Sequence, residues 1–326
     1  MDILLAVAGF AVGVVVGLTG MGGGALMTPV LVLFFGIPPL AAVSSDLVVS
    51  AVMKPVGAGV HLRRGTVNRA MVGWLCLGSV PSAFAGVLVA RALGRGENVQ
   101  QIIKVALGIA LLLAAAGLVV KAYLGLVERA RRRSSEAIGK RSDEPALRAV
   151  RVRPLATVVI GFVGGIVVGM TSVGSGSLII ISLIALYPAL KANDLVGTDL
   201  VQAVPLVVSA ALAHLLFGDF RLDLTVGVLV GALPGVFVGA QLSSRLPGGL
   251  IRKALAVVLT ASGLKLLGVG NVAMISVLGA IMLAGPLLWM WARRSHGLPA
   301  LAFLESRSTV EGDSSRTAQV SPISRA

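Results

Sequence analysis

Long apolar stretches, each closed by a short polar or basic turn, follow one another along nearly the whole chain. They fall at about 3–19, 25–36, 43–60, 70–90, 102–120, 155–171, 177–189, 196–217, 225–242, 252–268 and 273–292, and each predicts a helix. A helix needs about 20 apolar residues to cross a hydrocarbon core roughly 30 Å thick, and most of these runs are of that order. The runs at 25–36 and 177–189 are too short to span and read as half-helices or the return arms of hairpins. The pattern predicts an all-α polytopic membrane protein.

The polar positions carry a second regularity. Gly9-Phe10-x-x-Gly13 recurs as Gly161-Phe162-x-x-Gly165, and Gly17-x-Thr19-x-x-Gly22-x-Gly24-x-Leu26 recurs as Gly169-x-Thr171-x-x-Gly174-x-Gly176-x-Leu178. One residue of offset later, Asp46-Leu47-Val48 matches Asp199-Leu200-Val201, His61 matches His214, and Gly65 matches Gly218. Gly78-x-x-Pro81-x-x-Phe84-x-Gly86 then matches Gly231-x-x-Pro234-x-x-Phe237-x-Gly239. Ordered agreements at a nearly constant offset mark an internal repeat. The chain divides into a first membrane repeat (1–120), a basic linker (121–153), a second membrane repeat (154–268), an extra helix (269–292) and a tail (293–326) that reads as disordered. Five runs per half is an odd number, so the halves are expected to lie in opposite orientations, the inverted-repeat plan of many secondary transporters.

Composition agrees with the membrane assignment. Hydrophobic residues make up 56% of the 326 and charged residues 13%, too few for the polar surface of a soluble domain, and 41 glycines suit close helix packing. The formal charge of +14 does not point to nucleic acid, because it is concentrated beside apolar spans. Residues 121–153 hold ten Lys or Arg against four acids, and Arg293-Arg294 close the last span. Under the positive-inside rule the loops at 61–69, 121–153 and 243–253 and the C-terminus face the cytoplasm of a bacterial inner membrane. The N-terminus then lies outside. One cysteine, Cys76, excludes an internal disulfide and a cysteine metal cluster, and three histidines do not furnish a histidine-rich metal site. No cofactor is expected.

Two glycine-rich breaks are the first candidates for chemistry: Thr19-Gly20-Met21-Gly22-Gly23-Gly24 and Thr171-Ser172-Val173-Gly174-Ser175-Gly176-Ser177. Consecutive glycines disfavour helix by about 1 kcal/mol each relative to alanine. Unwound backbone at membrane depth is tolerated only against protein or a water-filled cavity. Free N–H groups and the positive end of the next half-helix would suit an anion. The hydroxyls of Thr19, Thr171, Ser172, Ser175 and Ser177 would add donors around Gly22, Gly23 and Gly24. The plainer reading is that these glycines only let helices cross closely.

Ionisable residues within spans are the second clue, since each is costly in lipid. Lys54 falls near the middle of the third run, beside Pro55, and its counterpart is Val207. It reads as an anion's counter-charge, or as one half of an ion pair with Asp46 or Asp199. Asp46 and Asp199 stand near the starts of their runs, where capping is the ordinary role and proton carriage the alternative. Gln202, one turn beyond Asp199, is a polar candidate for a cavity wall. His61 and His214 occupy equivalent helix ends, where complementing the C-terminal dipole competes with proton coupling.

The glycine break followed by a half-helix, the Ser45-Asp46 and Thr198-Asp199 helix starts and the Gly-x-x-Pro-x-x-Phe-x-Gly segments resemble the TauE/SafE family of sulfite-exporter-like permeases. The resemblance covers about 5–120 and 155–268. It implies a permease for sulfur oxyanions or organosulfonates such as sulfite or sulfoacetate, often an exporter, driven by the proton gradient. The long basic linker and the extra helix depart from that pattern. A permease for another small anion or metabolite, an intramembrane enzyme and a structural subunit are the competing classes. For the enzyme, Gly-x-Ser-x-Gly and His-Glu-x-x-His are absent, and no span holds an aspartate pair. The subunit would not explain polar breaks in both halves.

Overall fold

The computed structural model describes residues 3–19, 23–63, 65, 67–92, 96–137, 152–187, 192–242 and 248–295. Gly20, Met21 and Gly22 of the first glycine break, much of the linker and the tail from 296 onward, expected to be disordered, lie outside the described residues.

The described chain is helical throughout, with eleven α-helices in the order read from the apolar runs. They are α1 (Ile3–Thr19), α2 (Met27–Phe34), α3 (Pro39–Arg63), α4 (Arg69–Ala92), α5 (Glu97–Ala137) and α6 (Pro154–Thr171). There follow α7 (Leu178–Leu186), α8 (Ala192–Phe217), α9 (Leu222–Leu242), α10 (Gly248–Leu266) and α11 (Asn271–Ser295). α2 and α7, with eight and nine residues, are indeed half-helices. Six helices are long and apolar enough to cross a membrane: α4, α5 over Glu97–Val127, α6, α8 over Gly197–Phe217, α9 and α11. Large apolar side chains such as Leu4, Val7, Leu216 and Phe237 are exposed on the helices, as a lipid-facing surface requires.

Helix starts are set by local chemistry. Pro154 opens α6 from an extended Arg153, a position where its missing N–H costs nothing. Asn68 caps α4 by accepting the Met71 N–H at 3.1 Å on Oδ1. Both α3 and α8 begin earlier than the apolar runs suggested, at Pro39 and Ala192. Asp46 and Asp199 therefore lie inside helices, not at the first turn, and capping is not their role. The cause is that Leu40-Ala41-Ala42 continue the helix upstream of the polar Ser44-Ser45-Asp46 step.

The chain forms two compact units, residues 1–123 with 146–275, and residues 124–145 with 276–326. Within the first, helices of one half pack on helices of the other. α1 lies against α9 and α4 against α6. The glycines make this possible: a Cβ at Gly9, Gly13 or Gly17 would meet the backbone of Val228, Ala232 and Val236 in turn. The same holds for Gly161, Gly165 and Gly169 against Leu75, Ser79 and Ala83. Rising numbers meet rising numbers, so each pair runs parallel. α3 and α8, the third helices of their halves, run in opposite directions. Ser44 near the start of α3 meets His214 near the end of α8, while Asn68, just after α3, meets Thr198 near the start of α8. In the second unit, α11 leaves Met282, Leu283, Leu287, Leu288 and Trp291 exposed and buries Arg293.

Candidate functional site

The second glycine break is built stepwise. α6 ends as Ser172 turns left-handed (φ 60°, ψ −6°) and returns its N–H to Val168 O at 2.7 Å, a C-cap that usually requires glycine. Gly174 (φ 128°) and Gly176 (φ 140°) then take conformations closed to other residues and aim the chain into α7. Thr171 Oγ1 is occupied within the break, donating to Val167 O at 2.6 Å and lying 3.2 Å from the Val173 N–H, which it accepts. The sequence suggested free amides here. Instead the N–H groups of Gly176, Ser177, Leu178 and Ile179 all turn to the Gly174 carbonyl at 3.0–3.4 Å. The amides of Gly174 and Ser175 and the side-chain hydroxyls are the donors left at this break.

The first break meets the second. Gly23–Ala25 form a single 3-10 turn, with Gly23 and Gly24 buried. A Cβ on Gly24 would overlap the Ser172 carbonyl, so the two backbones touch because no side chain separates them. One on Gly23 would sit 3.5 Å from Asp46 Oδ1 and 3.6 Å from Ser50 Oγ. Thr19 Oγ1 donates back to Val15 O at 2.8 Å. Gly22 lies outside the described residues.

Lys54 stands where the breaks converge. Only 7% exposed, its ammonium donates to Ser175 Oγ at 2.5 Å. A small open cleft is lined by Gly24 and Ala25 of the first break, Lys54 of α3, and Ser172, Gly174, Ser175, Gly176 and Ser177 of the second. Asp46, fully buried, accepts hydroxyl bonds on Oδ2 from Thr28 at 2.8 Å and Ser172 at 2.6 Å. Asp199, also buried, approaches the second break, since a Cβ on Gly176 would lie 4.0 Å from its Oδ2. Both carboxylates act on the Lys54 charge, Asp199 the more strongly. The Lys54 ammonium bonds a hydroxyl in the cavity, and among the described residues no carboxylate oxygen lies within ion-pair distance of it.

The remaining candidates lie apart from the cavity lining. Gln202 is fully buried, donates to Ser79 Oγ at 2.7 Å, and leaves Oε1 without a partner. His214 is buried between three helices, with Nδ1 2.7 Å from Ser44 Oγ and Nε2 2.8 Å from Gly169 O. A carbonyl only accepts, so Nε2 carries a proton and ties α8 to the last turns of α6. His61 sits in the last turn of α3. Among the described residues no group of three or more His, Cys, Asp or Glu gathers as a metal site. Sequence reasoning passed over Thr28, the donor to Asp46, and Lys121, a partly buried lysine whose charge acts on Asp199. Thr28 could have been found as a hydroxyl within an apolar half-helix. Lys121 was hidden because α5 continues as helix to Ala137, where a linker was expected from 121.

Known proteins place this architecture. The family model described as "Sulfite exporter TauE/SafE" matches residues 5–266. The chain belongs to this TauE/SafE family. It is 36% identical over 268 residues to the "Probable membrane transporter protein YjnA" of Bacillus subtilis (strain 168), covering 82% of this chain and all of that protein. It is also 25% identical over 258 residues to "Probable membrane transporter protein YdhB" of the same organism, covering 79% of this chain and 97% of the relative. No solved structure matches significantly. The TauE/SafE match spans α1 to α10, both glycine breaks and Lys54, and stops before α11. The chain is thus a multi-pass membrane protein of a transporter family. The cavity between the breaks lies within the part it shares with that family.

Proposed function

We propose that this protein is a secondary transporter that binds a small anion, of the sulfite or organosulfonate type, in the cavity between the two glycine breaks. The observation that carries the reading is the buried Lys54 ammonium bonded to Ser175 at 2.5 Å, facing a cavity lined otherwise by serines, glycines and Ala25. A desolvated lysine with adjacent hydroxyls is an anion-selective donor set, because each charge-assisted hydrogen bond is stronger than its neutral counterpart. The family match supports transport, and the family's description supports the sulfur oxyanion class.

The architecture belongs to the same proposal. Opposite directions of α3 and α8 and crosswise parallel packing of α1 on α9 and α4 on α6 support an inverted repeat, with the site at the interface of the halves. In this reading the membrane is the bacterial inner membrane, and the basic linker and C-terminus are cytoplasmic.

The test is flux into proteoliposomes with radiolabelled sulfite, sulfoacetate and isethionate. Saturable uptake of at least one, exceeding that of protein-free liposomes, is expected. No saturable uptake of any of the three would overturn the assignment.

A further inference from the structure

The two halves share an aspartate but not its surroundings. Asp46 Oδ2 accepts from two hydroxyls, Thr28 and Ser172. At the repeat-equivalent positions stand Ile180 and Gly20, neither of which carries a hydroxyl. No hydroxyl among the described residues donates to Asp199, and Oδ1 of each aspartate is buried without a partner, so the two differ in the hydroxyl bonds at Oδ2. Lys54, too, is unmatched, its counterpart being Val207. Two buried carboxylates therefore share one buried lysine. The charges that act on Asp199 are Lys54 from α3 and Lys121 from α5, and the latter is itself opposed by Arg252 of α10. Lys121 is only partly buried, so water weakens its hold on the carboxylate. The described backbone facing Asp199 from the second break, at Gly176, carries no charge.

A buried carboxylate stays ionised through hydrogen bonds or an opposite charge, and losing both is costly. Asp46 has both supports. Asp199 depends on charge alone, chiefly on Lys54. An anion that engages the Lys54 ammonium withdraws that support. With both aspartates ionised the triad also carries one net negative charge, which would repel the anion; adding one proton brings it to zero.

We infer that Asp199 is the proton carrier of transport: it takes up a proton as the anion engages Lys54 and gives it back as the anion leaves, while Asp46 stays ionised under its two hydroxyls. One O–H bond forms at the Asp199 carboxylate, with the proton drawn from the same aqueous side as the anion, and the same bond breaks on release. Proton and anion then travel together as symport. This inference rests on the anion-transport reading above.

The experiment uses the full-length chain in proteoliposomes with radiolabelled sulfite and isethionate. In the wild type, an inward acid gradient should drive accumulation, and apparent affinity should rise as pH falls, by up to about tenfold per pH unit for one coupled proton. Asp199→Asn should lose gradient-driven accumulation and the pH dependence while keeping anion–anion counterflow, because its amide mimics the protonated acid. Asp199→Glu should recover the pH dependence. Proton uptake by the detergent-solubilised wild type on adding isethionate, whose sulfonate stays ionised, gives a reading that needs no variant. Gradient-driven accumulation by Asp199→Asn, or a wild type that carries the anion with no response to the gradient, would sink the inference and leave anion transport standing. Absence of any wild-type anion flux would instead remove the reading beneath it.

Discussion

At the scale of single residues, Lys54 bears the heaviest demand. It is a cation surrounded by protein within α3, bonded to Ser175 at the wall of the cavity and acted on by the charges of two buried carboxylates. Replacing it by alanine should leave Asp46 in its hydroxyl clamp, and Asp199, deprived of its main opposite charge, should take up a proton to stay buried. Loss of one charge-assisted hydrogen bond to the anion, about 1.5–3 kcal/mol, predicts a fall in apparent anion affinity of roughly 10- to 150-fold. Equilibrium binding of sulfite to purified Lys54→Ala, beside wild type, checks this, and unchanged affinity would reduce Lys54 to a structural role. Lys54 could be read from the sequence because a lysine is conspicuous in an apolar run. Its bond to Ser175 could not, because 121 residues separate the two and only the fold brings them together. The aspartates were visible for the same reason, and of the two roles weighed for them capping is the one the helix starts remove. A carboxylate after Ser44-Ser45 or Thr198 looks like a cap until the preceding apolar residues are seen to be helical already.

At the scale of elements, the apolar runs anticipated all eleven helices, because a membrane span is specified by length and composition together. The internal repeat located the two breaks, but not what happens to their amides. Four N–H groups converging on the Gly174 carbonyl is a local hydrogen-bond solution that residue type does not announce. The glycines outside the breaks make a separate prediction. Gly165 of α6 packs so closely on Ser79 and Ser82 of α4 that any Cβ must displace backbone. Gly165→Val should therefore destabilise the protein by about 1–3 kcal/mol, the usual cost of overpacking a tight contact. A lowered thermal midpoint in detergent would register it. Gly59→Ala, inside α3 where an added Cβ meets nothing within 4 Å, should not lower the midpoint and, through alanine's better helix propensity, should raise it slightly. Equal effects of the two would mean that close helix approach is not what holds α4 to α6.

At the scale of the whole chain, charge and geometry give two routes to the same grouping of loops. α4 and α6 run parallel, and α8 runs parallel to both, since Asn68, Ser79 and Phe84 meet Thr198, Gln202 and Phe217 in rising order. The chain before α6 therefore lies on the same side as the turn between α3 and α4, which carries Arg63 and Arg69. α9 starts where α8 ends, on the other side, and runs back, so its end rejoins them. These are the segments that the basic residues had singled out. Asp219 and Asp223 fall on the opposite side, where Arg221 pairs with Asp219 at 3.6 Å. Under the positive-inside rule, charge asymmetry predicts a direction for this arrangement, with the basic side towards the cytoplasm. In a Cys76→Ser background, Ser142→Cys in the linker should resist a membrane-impermeant maleimide applied to intact cells and react once they are permeabilised. Gly270→Cys, in the opposite turn where a Cβ meets nothing within 4 Å, should react in intact cells. Labelling of Ser142→Cys from outside would turn the molecule over. The internal packing, fixed by parallel and antiparallel helix pairs, would survive that reversal unchanged, and Lys54 would still lie where the two breaks meet.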